Sequence, residues 1–290
     1  MIHTEKHTVP HLSKPQRMQD YGVGIFPSCP TKSGLKKHLK RGNIRVNGKK
    51  ASTATFIKGG EDILLTIKEV SNHKIKDLKL KIYYEDDALA VIHKPAGIAV
   101  YGNQHRTVSN ALSLNLTPSK AADACKMRAV HRLDYPTSGL LIIGKTAASV
   151  RALNLSFEQK KISKTYLAIT CGNISETGET TERLDTKSAH TQWKVLASEP
   201  SERFGKLNLV ELRPITGRKH QLRLHMSMIG SHILGDPQYS PEHLELKGKG
   251  MYLAAMGLEL NHPLTSEKLI IKGDIPKKFL KIFPDYGMTD

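Results

Sequence analysis

The sequence predicts an α+β fold: a large domain on a mostly antiparallel, mixed sheet, with a small α/β unit ahead of it. Three observations lead there. Segments of strand-like character outnumber helical ones and follow one another through hairpin-like connections. The texture changes after a polar stretch at 70–79, VSNHKIKDLK. A length of 290 residues exceeds one average domain.

The elements justify this in order. Residues 1–27 read as a polar leader, and the small unit spans 28–70. Within it, TKSGLKKHLKRG (31–42) reads as a short helix, capped by Thr31 or Ser33 and closed at Gly42. Leu35 and Leu39 share one side of that helix. Asn47-Gly48 in NIRVNGKKA is the signal for a two-residue hairpin turn. A turn and a further strand follow at 57–67, and 71–80 reads as a linker.

The large domain, 81–290, opens with two strands around Glu85-Asp86-Asp87 and a Lys-Pro-Ala-Gly turn. RAVHRLDYPTSGLLIIGKT (128–146) reads as strand, turn and apolar strand, and 148–162 has helical spacing through Val150, Leu153, Phe157 and Ile162. Further strands fall at 163–172, TQWKVLAS and KLNLVELRPI. GRKHQLRLHMSMIG (217–230) is helical, with Leu222, Met226 and Ile229 as its stripe. Late strands lie in YLAAMGLELNHPL and KLIIKG, and PKKFLKIF closes the chain as a helix.

Charge narrows the function. Lys and Arg number 44 against 27 Asp and Glu, a net +17, so a polyanion is the expected partner. Lys36, Lys37, Lys40 and Arg41 crowd the helix face opposite Leu35 and Leu39, and Arg45, Lys49 and Lys50 extend it. Almost no acid interrupts this set, unlike the mixed signs of an ordinary solvated face, so it is read as a phosphate-contacting surface. Three scattered cysteines, Cys29, Cys125 and Cys171, form no CxxC pair and suit a reducing compartment. The start lacks a secretory apolar region, and no apolar run approaches a membrane span, so a soluble, cytoplasmic protein is expected. Neither GxGxxG nor GxxxxGK[ST] occurs, so no dinucleotide or P-loop nucleotide is expected. His220 and His225 lack zinc-site spacing, and no metal is expected.

Two groups of residues could carry chemistry. Asp134 stands at a strand end before Tyr135-Pro136, where reactive groups tend to sit. The same Asp could do no more than bond its own turn. Arg218, His220, Gln221, Arg223 and His225 crowd into eight residues, with Arg223 beside the Leu222/Met226 stripe. A buried guanidinium needs a carboxylate. Residues 203–235 offer Glu211 alone, so Asp134 is the expected partner, and such a pair would keep Asp134 ionised. Arg223 could equally be a surface phosphate contact. Tyr166 and Leu253 read as core residues, or as a stacking face and a wall of a pocket.

Together these pieces resemble the RluA-type family of RNA pseudouridine synthases over nearly the whole chain. HRLDYPTSGLL is similar to that family's HRLDxxTSGLL segment, HKPAGIAV to NKPxGxxV, KTYLAI to the stretch with its stacking Tyr. GRKHQLRLHMSMIGSHILGDPQY and YLAAMGLELNHP resemble its GRxHQxRxH and LHAxxLxFxHP segments. Residues 31–67 of the small unit resemble the RNA-binding module of the small-subunit ribosomal protein number four, although the module lacks a clear first helix. Ala254, Leu260, Tyr135-Pro136 and Val100-Tyr101-Gly102 depart from the family pattern.

The resemblance implies cofactor-free isomerisation of uridine in structured RNA, ribosomal RNA first and transfer RNA second. It gives Asp134 the central role, Arg223 its salt bridge, Tyr166 the uracil stack and Leu253 the closing wall. Arg132 would fill the gap left by a flipped base or hold phosphate, and Thr137, Ser138, Arg218, His220 and Gln221 would shape the pocket. A monomer with an open basic face is expected. Two rivals stand beside this reading: a non-catalytic ribosome-assembly factor, and a hydrolase needing a second carboxylate such as Glu211.

Overall fold

A computed structural model describes residues 2–68, 78–244, 246 and 248–287. The chain divides into two compact units, 1–74 and 75–290.

The first unit is built from β1 (Ile2–Thr8), β2 (Gln16–Arg17), α1 (Met18–Tyr21), α2 (Lys32–Lys40), β3 (Ile44–Val46), β4 (Lys49–Lys50), β5 (Phe56–Ile57) and β6 (Asp62–Lys68). Its main sheet has the order β1-β6-β3-β4, and β2 pairs with β5. Thr31, not Ser33, caps α2: its Oγ1 accepts the Gly34 N–H at 3.2 Å. Leu35 and Leu39 are buried against Ile44, Ile57, Ile63 and Leu65. Asn47 and Gly48 both have positive φ, 47° and 76°, which the two-residue turn between β3 and β4 requires. Lys36, Lys37, Lys40, Arg41, Arg45, Lys49 and Lys50 are all exposed.

Residues 1–27 are not a separate leader. β1 pairs with β6 along its length, from Ile2 opposite Lys68 to Thr8 opposite Asp62, and Val9, Met18 and Phe26 are buried in the unit's core. β1 is a polar edge strand held by main-chain hydrogen bonds, so it carries no apolar alternation to read. The first helix of the module, α1, has four residues.

In the second unit, β7 (Ile82–Glu85), β8 (Leu89–Lys94), α3 (Val108–Asn115), β9 (Ala124–Ala129), β10 (Ser138–Thr146), α4 (Ala147–Glu158), β11 (Ser163–Cys171) and β12 (Thr177–Thr180) lead into β13 (Thr191–Ser201) and β14 (Gly205–Pro214). Then come α5 (Gln221–Met228), β15 (Leu253–Asn261), β16 (Lys268–Lys272) and α6 (Lys277–Leu280). Ten strands form one sheet, in the order β12-β13-β14-β11-β15-β10-β8-β7, with β16 beside β15 and β9 beside β10. All pairs are antiparallel except β10 with β15.

The apolar run of β10 is buried at every position because the sheet is covered on both faces. Leu141 and Ile143 pack with Val108, Ala111 and Leu112 of α3, while Leu140 and Ile142 pack with Leu153 of α4. Likewise Ala168 meets Leu222 and Met226 of α5, and Leu167 and Ile169 meet Phe279 of α6. α3 and β12 are additional to the elements expected from the sequence, although Thr107 caps α3 and Val108, Ala111 and Leu112 hold helical spacing.

Much of the expected linker, 71–80, lies outside the described residues, but its end belongs to the core. Leu78 and Leu80 are buried, and the Asn115 side chain bonds the main chain of both, at 2.9 and 2.8 Å. Among the described residues, no helix is long and apolar enough to cross a membrane.

Candidate active site

The site forms where β10, β15 and β11 lie side by side in mid-sheet. The turn 134–137 delivers the chain into β10, and Ser138 and Gly139 pair in parallel with Ala254 and Ala255. Tyr166 on β11 pairs with Ala255, two residues beyond Leu253, so Tyr166 and Leu253 share the sheet face covered by α5. A cavity of about 610 Å³ opens there, lined by Asp134, Thr137, Tyr166, His220, Arg223 and Leu253 among others.

The local-turn reading of Asp134 does not describe what is found. The turn is closed by main chain, with Thr137 N–H donating to the Asp134 carbonyl at 3.1 Å. The carboxylate instead stands 3.6 Å from Arg223 Nη1 and 3.8 Å from His220 Nε2. Both gaps exceed a hydrogen bond, so the carboxylate can meet a bound group without first breaking a tight pair.

Arg223 is buried, as its place beside the apolar stripe predicts, but its principal partner is Asp236 and not Asp134. Its Nε and Nη2 fork onto the two Asp236 oxygens at 2.6 and 2.7 Å. Asp236 also accepts the main-chain N–H groups of Gln238 and Tyr239. The Tyr239 ring lies 4.9 Å from the guanidinium carbon. Burial opposes the Arg223 charge, yet the hydrogen bonds and charge of Asp236, with Asp134 adding, hold its pKa above the ordinary value. Asp236 lies one residue past 203–235, the stretch whose one acid is Glu211.

His220 adopts a left-handed backbone, φ 54°, at the start of α5. Its Nδ1 bonds the Tyr239 hydroxyl at 2.8 Å, which leaves Nε2 toward Asp134. Burial lowers its pKa and Asp134 opposes that. Burial raises the Tyr166 hydroxyl, and the Asp134 charge adds to it, so Tyr166 is a neutral ring. Arg132 is exposed on the cavity wall.

Of the expected pocket residues, Ser138 is absent from the wall, while Gln221 and Arg218 line it and also hold neighbouring chain. Ser138 starts β10, buried, and is not on the cavity wall. Gln221 borders the cavity but spends its amide inward: Oε1 accepts from Thr216 Oγ1 and Arg218 N–H, and Nε2 donates to His190 O and Thr191 Oγ1. Arg218 Nε donates to Ser188 O at 2.9 Å. The Gln221 and Arg218 side chains tie the 188–191 segment to the start of α5.

Other residues were missed. Lys94, 0% exposed, donates to Pro95 O at 2.9 Å and Ile98 O at 2.8 Å, with Tyr135 O at 3.4 Å, and so ties the 94–98 turn to the Asp134 turn. Burial lowers its pKa to about 8, against the pull of Asp134. His131 Nε2 accepts the Ile142 N–H at 3.0 Å, and burial lowers its pKa to about 3. The cavity wall is strongly basic: Arg132, Lys160, Lys164, Arg218, Lys219 and Arg223 stand against two acids, Asp134 and Glu158. Glu211 pairs with Arg213 at 2.8 Å and lines a different depression, with Trp193 and Lys194. Among the described residues, no three His, Cys, Asp or Glu side chains gather as metal ligands would.

Comparison with known proteins decides the family. A family model described as RNA pseudouridylate synthase matches residues 88–228. Ribosomal large subunit pseudouridine synthase C of Rickettsia felis is 31% identical over 92% of this chain and 95% of its own. The chain belongs to the RluA-type family of RNA pseudouridine synthases. Ribosomal large subunit pseudouridine synthase D of Pasteurella multocida is 30% identical over 92% of this synthase and 90% of its own length. The solved structure of human RNA pseudouridylate synthase domain containing 4 covers 69% of the chain at 25% identity, with a TM-score of 0.56. The synthase is therefore an isomerase acting on uridine in RNA, and neither the hydrolase nor the assembly-factor reading describes it.

Proposed function

We propose that this synthase isomerises uridines of large-subunit ribosomal RNA and that Asp134 starts the reaction. The observation that carries the reading is an Asp134 carboxylate loosely faced by Arg223 and His220, inside a basic cavity walled by Tyr166 and Leu253. The names of the relatives, matched almost end to end, favour the large subunit as substrate.

The reaction breaks the bond from ribose C1′ to uracil N1 and makes one from C1′ to C5. The C5 proton leaves and N1 gains one, so no outside reactant is consumed. Asp134 serves as nucleophile toward the ribose or base, or as base toward the ribose 2′ carbon. Arg223, held rigidly by Asp236, sets a fixed positive charge 3.6 Å from the Asp134 carboxylate. Tyr166 stacks on the uracil and Leu253 closes the wall, which excludes water during the rotation. The target must leave its stack to enter, and Arg132 stands ready to occupy the gap or hold phosphate. Thr137 and His220 shape the pocket. The exposed lysines and arginines of the first unit, Lys36 through Lys50, supply sequence-independent RNA affinity. A cytoplasmic monomer suits free cysteines and an open basic face.

The test is tritium release from RNA labelled at uracil C5, comparing wild type with Asp134→Asn. Ribosomal and transfer RNA from a synthase-deficient strain are assayed separately. Release by wild type from ribosomal RNA, and a loss of at least about 1000-fold in the variant, is expected. Release from transfer RNA alone would replace the substrate, and an active Asp134→Asn would remove Asp134 from its role.

A further inference from the structure

The Val100-Tyr101-Gly102 departure has a structural counterpart outside the cavity. Tyr101 is 49% exposed, although its hydroxyl donates to the Ala129 carbonyl on β9. Among the described residues β9 pairs with β10 alone, as an edge strand. Its outward positions are Lys126 and Arg128, both exposed, and they alternate with the buried Met127 and Ala129. Arg128 sits close enough to Tyr101 for its charge to oppose the rise that burial imposes on the phenol. Arg106, also exposed, follows in the same loop as Tyr101. Neither 98–106 nor 124–132 contains an acid.

This face runs into the cavity. Directly after β9, Val130, His131 and Arg132 are cavity wall, and Asp134 follows. Alternate strand residues are about 7 Å apart, a spacing suited to successive phosphates of an extended strand. Charge on an edge strand also discourages pairing with other chains. That task accepts either sign and calls for no half-exposed ring, whereas here the charge is all positive and an aromatic lies among it. Basic side chains interleaved with an exposed aromatic are the arrangement that holds unpaired nucleic acid.

We propose that Tyr101, Lys126 and Arg128 form a track for the unpaired RNA strand flanking the target uridine. Lys126 and Arg128 contact successive phosphates, and one flanking base stacks on the Tyr101 ring. The track rests on the reading that the Asp134 cavity receives the target.

Three measurements test it. The slope of log Kd against log salt concentration, with a short oligouridylate as probe, becomes shallower by about 1.4 in a Lys126→Ala/Arg128→Ala variant. A Tyr101→Trp variant is quenched by the same probe beyond the wild type, whose single tryptophan is Trp193. On C5-tritiated ribosomal RNA, Tyr101→Ala raises KM about fivefold or more, and Tyr101→Phe restores it, because the ring and not the hydroxyl makes the contact. An unchanged slope, or a Tyr101→Trp variant that the probe does not quench, overturns the track. If wild type releases no tritium from ribosomal RNA yet slope and quenching respond, the substrate assignment fails and the track stands.

Discussion

Arg223 shows how one buried charge can be both stable and available. Its side chain is 4% exposed, and two of its nitrogens are fixed by Asp236, itself 1% exposed. The third nitrogen is left toward Asp134 at 3.6 Å. The Asp236 pair is a rigid mount, and the Asp134 pair is loose. Replacing Asp236 with Ala would strand the guanidinium, with the more exposed Asp134 as its nearest counter-charge. We expect a loss of about 3–5 kcal/mol in urea denaturation. Activity should fall about 100-fold in tritium release, because Arg223 would no longer be held in place. A variant with wild-type stability would show that Asp134 alone can hold the charge. The need for a carboxylate near Arg223 was legible from burial logic. Its owner was not, because Asp236 lies 13 residues along the chain, beyond the end of α5, and only the turn after that helix brings it back to Arg223. Lys94 was illegible for a similar reason: a lysine in a turn reads as solvated until the fold shows three carbonyls around it.

At the scale of elements, the site depends on how closely β10 and β15 approach. Gly139 has φ +118°, and a Cβ there would fall deep inside van der Waals contact with the Ala255 carbonyl oxygen. This close approach brings the Asp134 turn beside the strand that carries Leu253 and next to Tyr166. Gly139→Ala would meet both a disfavoured backbone and a main-chain clash that no side-chain shift relieves. A loss of about 3 kcal/mol or more is expected from chemical denaturation, with reduced kcat in whatever folds. Retention of full stability would mean that the two strands can part without harm. The apolar strands were legible as continuous apolar runs, and the stripes of α4 and α5 by the helical spacing of their apolar residues. β1 and the parallel seam were not. Each is held by main-chain pairing to a strand remote in sequence, and such pairing leaves no pattern in side chains.

The whole molecule combines a net charge of +17 with histidines that burial keeps neutral. Burial is the foremost cause of the lowered pKa at His38, His93, His131, His220, His225 and His232. The basic balance, and hence the polyanion partner, could be read by counting; the buried histidines could not, since a polar ring shows its burial in the fold alone. A base with a folded pKa below its unfolded value binds fewer protons when folded. Its stabilising contribution is therefore complete above the unfolded pKa, near 6.5, and is lost as pH falls below it. For His131, lowered to about 3, the loss continues down to that pH and amounts to about 2 kcal/mol at pH 5. Protonation also adds positive charge to a chain already rich in it, and self-repulsion works in the same direction. The urea midpoint of the full chain should thus fall between pH 7 and pH 5. In His131→Gln, which cannot take up that proton, the fall should be smaller, even if the variant is less stable at pH 7 through a weaker bond from Ile142 N–H. Equal pH dependence in the two proteins would mean that His131 is not held neutral by the fold, and would assign the acid sensitivity to the other histidines and to the net charge.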